Sequence, residues 1–278
     1  MARIIGGVTT SHVPAIGGAI AKGKQQDPYF KPFFDGFAPI RHWLAETRPD
    51  VVVAFYNDHG LNFFLDKMPT FAIGTAPEYR SADEGWGIPT MAPFRGEEDL
   101  SWHLLESLVA ADFDMTSCQE MLVDHAMTLP MALLWPDEKW PVRIVPIAIN
   151  TVLFPLPSAA RCWKLGQTIG RAIQAWQSDA KVMVLGTGGL SHQLEGERAG
   201  HINSEWDRKF MDSMTSDPQW ATRFSINQLV KDTGTQGIEL INWLAARAAL
   251  TGDVRELHRT YHIPISNTAA GIMLLENR

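Results

Sequence analysis

Three histidines stand where a metal or a catalytic base could be held at the edge of a β-sheet. His12, His59 and His192 each lie a few residues past a short apolar segment that predicts a strand. In open α/β sheets, ligands bind in the crevice beyond the carboxyl ends of the strands. Any one of these residues alone could equally be a hydrogen-bonded structural histidine, but imidazoles from three strands are expected to converge there. A fourth candidate, His125, lies in a segment that is harder to place.

A metal held by two imidazoles needs a further ligand, and Glu239 is the carboxylate best suited to that role. Two histidines and one carboxylate form the facial set that leaves positions open for substrate and O2 at non-haem Fe(II). Glu239 is the only acid in the apolar segment 237–247, and buried acids are seldom without a partner. The helix dipole also favours an acid near a helix N-terminus. The pattern alone therefore leaves metal ligation and a structural role equally open.

A glycine-rich segment precedes the third of these histidines. Gly186, Gly188 and Gly189 have neither the GxGxxG spacing nor the P-loop ending, so the signal for phosphate binding is weak. The glycines instead allow the chain to turn sharply and present Ser191 and His192 at the sheet edge. A serine hydrolase is disfavoured because the segment contains no GxSxG elbow.

Small polar residues also cluster close to the C-terminus. The segment 264–270 contains Ser266 and Asn267, whose hydroxyl and amide groups are suited to binding a substrate carboxylate or hydroxyl. In isolation, a polar turn is the commoner explanation of such a segment.

The elements that must position these residues alternate between short apolar runs and amphipathic ones. This pattern predicts an α/β fold of three layers, α/β/α, with a central mixed, largely parallel sheet. Strands are predicted at residues 3–8, 50–56, 71–73, 142–149, 181–185 and 271–275. Helices are predicted at residues 39–46, 100–111, 161–177, 205–214 and 237–250, with Ser204 as the N-cap of the fourth. Glycines and prolines in residues 78–98 predict a long loop.

The composition is that of an ordinary globular chain. With 278 residues, 45% of them hydrophobic, and no long linker, we expect a single catalytic domain over residues 1–278. The net charge of −7 disfavours a nucleic acid as partner and favours a small substrate. Two cysteines without metal-binding spacing, no signal-like start and no long apolar run predict a cytoplasmic protein without membrane association.

Five motifs, in this order, resemble those of one known family. They read TSHVP (10–14), VAFYNDH (53–59), SADEGWG (81–87), GTGGLSHQL with GERAG (186–200) and HIPISNTA (262–269). Together they resemble the class II (LigB-type) extradiol ring-cleavage dioxygenases over essentially the whole chain. Within that family they resemble the catalytic β subunits of protocatechuate 4,5-dioxygenases. The resemblance implies a LigB-like fold and an oxidoreductase that opens a catechol ring with both atoms of O2.

The same resemblance implies roles for the candidate residues. A non-haem Fe(II) would be held by His12, His59 and Glu239. His192 would take a proton from the catechol and later return it, and His125 would be a second pocket histidine. The residue types and their positions suggested this metal-ligand set without deciding it. The resemblance to the family implies the same three ligands.

The substrate implied is a carboxylated catechol, with polar contacts from Asn57, Ser266 and Asn267. Protocatechuate is the leading expectation, cleaved at the 4,5 bond to 4-carboxy-2-hydroxymuconate-6-semialdehyde, and gallate and 3-O-methylgallate are the alternatives. The chain ends at Arg278 without the C-terminal domain that is fused in the gallate enzymes. The resemblance therefore also implies a separate small α subunit that caps the site, in an oligomer of αβ units.

Two other classes of function could use the same residues. Zn²⁺ on the His, His and carboxylate set would support hydrolysis, because these ligand types do not strictly distinguish zinc from iron. A non-catalytic binding subunit with structural histidines is the third possibility, ranked last because all the metal-ligand positions are filled. Consumption of dioxygen separates the first two classes.

Overall fold

The computed structural model describes residues 1–85, 87–137 and 139–278. Its strands, in chain order, are β1 (Arg3–Thr10), β2 (Val51–Tyr56), β3 (Phe71–Gly74), β4 (Glu78–Ser81), β5 (Phe94–Arg95), β6 (Thr116–Cys118), β7 (Leu122–Val123), β8 (Arg143–Ile149), β9 (Lys181–Thr187), β10 (Val254–Ile265) and β11 (Thr268–Asn277). Within these ranges, eight strands form one sheet in the order β10-β11-β1-β9-β2-β8-β3-β6, and β5-β4-β7 form a second, smaller sheet.

The centre of the large sheet is parallel and its flanks are antiparallel. Strands β1, β9, β2 and β8 run parallel to one another, whereas β11 pairs antiparallel with β1 and β3 pairs antiparallel with β8. Successive side chains of a strand face opposite sides, so Val53 and Phe55 of β2 join one hydrophobic cluster while Val52 and Ala54 join the other. The sheet is therefore buried on both faces, which explains its valine-rich and isoleucine-rich central strands.

Helices cover both faces of this sheet. They are α1 (Pro14–Ala21), α2 (Lys31–Asp35), α3 (Ala38–Thr47), α4 (Glu98–Ala110), α5 (His125–Leu134), α6 (Ala159–Ala175), α7 (Ser204–Ser216), α8 (Ile226–Thr233) and α9 (Leu240–Ala249). Buried residues of α1, α2, α3 and α5 belong to one cluster, and those of α4, α6, α7, α8 and α9 belong to the other. This arrangement confirms the predicted three-layer α/β/α fold.

The predicted strands and helices are present, with three local corrections. The N-cap of α7 is Asn203 rather than Ser204, because the Asn203 side chain accepts a hydrogen bond from the main chain of Trp206. The helix predicted at residues 237–250 begins as a separate 3-10 turn, Gly237–Glu239. The loop predicted at residues 78–98 contains β4 and β5, whose pairing with each other and with β7 is not visible in local sequence.

Strand β10, which has 12 residues, was not predicted from the sequence. Its segment carries several charged residues, among them Arg255, Glu256 and Arg259. It lies at the edge of the large sheet, where a strand tolerates charged side chains and needs no apolar pattern on both faces. Among the described helices, none is both long and apolar enough to cross a membrane.

Candidate active site

The carboxyl ends of the parallel strands open into a cavity of about 380 Å³. His12 follows β1, His59 follows β2 and His192 follows β9, and all three line this cavity. His125, the first residue of α5, and Glu239, the last residue of the 3-10 turn, lie on the same wall. The structure thus brings together the four candidate histidines and the candidate carboxylate.

Glu239 lies between two of the imidazoles. Its Oε2 is 3.3 Å from Nε2 of His12, and its Oε1 is 3.4 Å from Nε2 of His59. Two ligand atoms that bind one ion at about 2.1 Å lie about 3.0–3.4 Å apart at octahedral or tetrahedral angles. Nitrogen and carboxylate oxygen are also ligand types that first-row divalent metals accept. His12, His59 and Glu239 therefore form a donor set that fits a divalent metal ion.

Hydrogen bonds on the far side of each ring fix both imidazoles. Oδ2 of Asp124 accepts from Nδ1 of His59 at 2.9 Å and from its main-chain N–H at 2.8 Å. The hydroxyl oxygen of Thr187 lies 3.2 Å from Nδ1 of His12. Metal-binding histidines generally use their second ring nitrogen in this way, because its partner sets the tautomer and the ring orientation. Nε2 of each ring faces Glu239, and the side-chain amide nitrogen of Asn57 also lies 3.1 Å from Nε2 of His59.

The carboxylate of Glu239 is held by two neutral donors. The side-chain amide of Asn57 donates to Oε1 at 3.2 Å, and the main-chain N–H of Gly189 donates to Oε2 at 3.0 Å. The chain at Gly188 passes so close that an added Cβ would lie 2.6 Å from Cβ of Glu239, and its φ is 121°. Only glycine fits such a position without strain. The glycine-rich segment therefore serves the carboxylate rather than a phosphate.

The charges of the cluster favour a bound cation. Burial lowers the pKa of His12, in the direction of the neutral imidazole that a metal binds. Burial opposes ionisation of Glu239, but His12 and His59 outweigh it and hold the pKa of this carboxyl well below its usual range. Burial is likewise outweighed at Asp124, where His59 lowers the pKa to about 2. Burial also lowers the pKa of His59, but the two carboxylates raise it well above its ordinary value.

His125 packs directly against the two histidines of the donor set. Its ring stacks on that of His59 with centroids 4.2 Å apart and meets His12 edge-on at 5.3 Å. Glu84 accepts from Nδ1 of His125 and from its main-chain N–H, each at 2.6 Å. Potential ligand atoms of the three histidines lie within 4.8 Å of one another. His125 is therefore close enough to touch either the ion or a molecule bound to it.

His192 has the tautomer that a catalytic base needs. Its Nδ1 lies 2.8 Å from the carbonyl oxygen of Leu190, so Nδ1 carries the proton of the neutral ring. The lone pair is then on Nε2, in a ring that lines the cavity. The main chain of His192 donates to the carbonyl of Thr233 at 2.8 Å and accepts from Gly237 at 3.1 Å. A ring fixed in this way can accept a proton from a bound molecule.

The residues predicted to contact a substrate lie in different environments. Ser266 lines the cavity, and its main-chain N–H donates to the hydroxyl of Tyr29 at 2.7 Å. Asn267 is the next, exposed residue of the same turn, and it is not among the described residues that line the cavity. Asn57 is fully buried behind Glu239 and supports that carboxylate rather than facing the cavity.

Several site residues were missed by the sequence reasoning. Asp124 could have been found, because an aspartate directly before a helix is a common N-cap, and its side chain accepts from Ala126 at the start of α5. Glu84 stands in the SADEGWG motif but was assigned no role, and Trp86 of the same motif lies outside the described residues. The remaining cavity wall mixes apolar and small polar residues: Val13, Pro14, Ala15, Thr151, Val152, Leu194, Thr235, Gln236 and Thr268.

The sequence matches a known protein family over residues 6–272, nearly its whole length. That family is described as the catalytic LigB subunit of aromatic ring-opening dioxygenase. The chain belongs to the LigB family. LigB dioxygenases generally depend on a metal, in agreement with the cluster of His12, His59 and His125, whose ligand atoms lie close enough together to hold an ion. Aromatic ring opening with dioxygen is thus the reaction class of the family to which this chain belongs.

Curated relatives within the LigB family differ in their substrates. Gallate dioxygenase of Pseudomonas putida is 42% identical over 198 residues, which cover 71% of this chain and 58% of the relative. The 2,3-dihydroxyphenylpropionate/2,3-dihydroxicinnamic acid 1,2-dioxygenase of Xanthobacter autotrophicus is 32% identical and covers 80% of this chain and 84% of the relative. This chain thus spans less than two thirds of the gallate dioxygenase that it matches. The narrower resemblance to protocatechuate β subunits stays a prediction.

One solved structure gives separate support for the fold. An uncharacterized protein from Escherichia coli K12 superposes with a TM-score of 0.57 at 14% identity, covering 97% of this chain and 99% of that chain. At this level of identity the likeness concerns the fold alone.

Proposed function

We propose that this chain catalyses extradiol cleavage of a carboxylated catechol with O2, using Fe(II) bound by His12, His59 and Glu239. The observation that carries the proposal is the carboxylate of Glu239 within 3.4 Å of an imidazole nitrogen on each side, at the wall of a cavity that His192 also lines. Family membership supplies the reaction class.

The metal ion, His192 and the apolar cavity wall would have separate roles in this reaction. Bound by the donor set, Fe(II) would supply the redox chemistry and the open positions at which catechol and O2 meet. His192 takes the proton of a catechol hydroxyl at Nε2 and returns it after the ring opens. The apolar side chains of Val13, Pro14, Val152 and Leu194 offer a planar ring an apolar contact surface.

Gallate is the substrate we place first, ahead of protocatechuate. The support is the 42% identity with a gallate dioxygenase, against 32% or less with the dihydroxyphenylpropionate enzymes. The sequence had put protocatechuate first and gallate among the alternatives, so the order of the two is reversed. A carboxylated catechol of this size fits a cavity of about 380 Å³.

A direct test is oxygen uptake by the chain after anaerobic loading with Fe(II). We expect one O2 consumed per gallate, with slower turnover of protocatechuate and 3-O-methylgallate and the least with 2,3-dihydroxyphenylpropionate. Parallel assays of the Zn²⁺-loaded chain should consume no O2. Uptake with none of the four catechols, either by this chain alone or by the chain purified from its own cells, while bound iron is confirmed, would refute the proposed activity and direct attention to the hydrolase alternative.

Ser266 is the residue we propose to bind the substrate carboxylate. No Lys or Arg is found among the described residues that line the cavity, so hydroxyl, amide, imidazole and main-chain groups are the donors left to hold this anion. We expect Ser266→Ala to raise KM about 10-fold for a carboxylated catechol and much less for unsubstituted catechol. Steady-state kinetics with both substrates measure the difference. An equal change in the two KM values would remove Ser266 from carboxylate binding.

A small capping subunit also remains part of the proposal. Val152, Phe154 and Leu194 are each at least half exposed, and two of them line the cavity. Exposed apolar side chains around a cavity are typical of a surface that a partner covers. The oxygen-uptake assay is therefore also run on the chain purified from its own cells, where such a subunit would be retained.

A further inference from the structure

A buried carboxylate that the proposed chemistry does not use lies directly behind the His192 segment. Asp207 of α7 is fully buried. Its Oδ1 accepts from the main-chain N–H of Ser191 at 2.9 Å. Its Oδ2 accepts from the hydroxyl of Ser191 at 2.6 Å and from the hydroxyl of Tyr261 at 2.7 Å. A carboxylate is tolerated in such a place only when donors of this kind compensate for the lost water.

Ser191, the residue before His192, is held at each of its polar groups. Besides its two bonds to Asp207, its hydroxyl oxygen accepts from the main-chain N–H of Asn203 at 2.8 Å. Its carbonyl oxygen accepts from the main chain of Ala269 at 3.2 Å. Bonds from α7, from the turn before it and from β11 therefore converge on this one residue. The position of Ser191 is therefore fixed from three sides, and so is the position of the main-chain nitrogen of His192, which follows it.

We propose that Asp207 is a positioning residue for His192 and acts through Ser191. The inference rests on the proposed function, in which Nε2 of His192 exchanges a proton with the substrate. The imidazole has one hydrogen bond of its own to the described residues, from Nδ1 to the carbonyl of Leu190, on the other side of Ser191. Fixing Ser191 therefore fixes both the ring and the carbonyl that sets its tautomer. Asp207 does not line the cavity and so does not touch the substrate.

Asparagine at position 207 is the sharpest probe because it keeps the size and shape of the side chain. If its oxygen faces the main-chain N–H of Ser191, its NH2 group meets the two hydroxyl hydrogens that Oδ2 of Asp207 now accepts. If it is flipped, its NH2 group meets the main-chain N–H instead. In the first orientation both hydroxyl hydrogens lose their acceptor, and the hydroxyls of Ser191 and Tyr261 must rotate to accept from the NH2 group. In the second, two N–H donors face each other. We expect Ser191 to shift in either case, and the ring of His192 with it.

The kinetic test compares Asp207→Asn with Ser213→Ala in the Fe(II)-loaded chain. Ser213 also lies on α7 and its hydroxyl makes a buried hydrogen bond, but to Phe210 and away from the cavity. We expect Asp207→Asn to lower kcat about 10- to 100-fold, as expected for a misplaced catalytic group. KM and iron content should stay within twofold, and Ser213→Ala should leave kcat unchanged. In a His192→Ala background, Asp207→Asn should lower kcat no further, whereas a second large loss would overturn the proposal.

A readout independent of turnover separates this inference from the proposed function. In the Zn²⁺-loaded chain with ¹⁵N-labelled histidine, the ring signals of His192 are assigned by their loss in His192→Ala. Asp207→Asn should change these signals from one fixed tautomer to an average of two, and Ser213→Ala should leave them alone. Unchanged signals in Asp207→Asn would refute the positioning role even if the chain cleaves catechols. Should Asp207→Asn fail to fold, Tyr261→Phe removes one of the same bonds and should give a smaller change of the same kind.

Discussion

Replacing Glu239 by Gln will abolish retention of Fe(II) and, with it, ring cleavage. The substitution keeps the size of the side chain but removes the negative charge that lies within 3.4 Å of both imidazole nitrogens. Removing a residue that hydrogen-bonds a metal ligand generally lowers metal affinity 10- to 100-fold. Removing the ligand itself should therefore lower it about 100-fold or more. Iron per chain, measured after gel filtration, should fall to background, and oxygen uptake with gallate should disappear.

The control for this variant is Glu195→Gln. Glu195 is an exposed carboxylate next to the cavity-lining Leu194, and its replacement changes the net charge by the same amount. We expect it to retain iron and activity. Since His125 offers a third imidazole within 4.8 Å of the other two, full iron retention in Glu239→Gln would mean that the three histidines hold the ion. The donor set proposed above would then be wrong.

The convergence of the site residues could be predicted because it follows from the topology of the sheet. His12, His59 and His192 each follow a strand of the parallel centre, and the carboxyl ends of parallel strands meet at one edge. Neither the apolar pattern nor the spacing could show that Glu239 lies at the end of a 3-10 turn, because that depends on how the chain enters α9. The ligand types were visible in sequence, but their geometry was not.

The residues that orient the site could not be predicted, because they reach it over long sequence distances. Asp124 bonds His59 from 65 residues away, and Glu84 bonds His125 from 41 residues away. Asp207 reaches Ser191 only because α7 packs behind the His192 segment. A carboxylate in a local pattern can be assigned to a helix cap or to the surface, but its distant partner depends on the packing of the whole fold. The same holds for Asn57. It was predicted as a polar residue of the pocket, but it is buried behind Glu239, and only the packing of the fold shows this.

His192→Ala should show the opposite combination to Glu239→Gln: iron retained and turnover lost. His192 does not contact the carboxylate or imidazole nitrogens of the donor set at hydrogen-bond distance in the described structure, so its removal leaves the metal ligands in place. General acid–base residues contribute about 10²- to 10⁴-fold to a rate. We therefore expect kcat for gallate to fall by that factor, with iron content unchanged and KM altered severalfold at most.

A control variant and a comparison of two substrates test whether His192 transfers a proton. His42→Ala removes an imidazole that is exposed on α3, pairs with Glu46 and lies outside the cavity lining, and it should leave kcat unchanged. If His192 removes a catechol proton, a more acidic catechol, such as one with a nitro group on the ring, should lose less from His192→Ala than gallate does. An equal loss with both substrates would show that His192 orients the ring rather than transferring its proton. Loss of iron in His192→Ala would instead make His192 a part of the metal site.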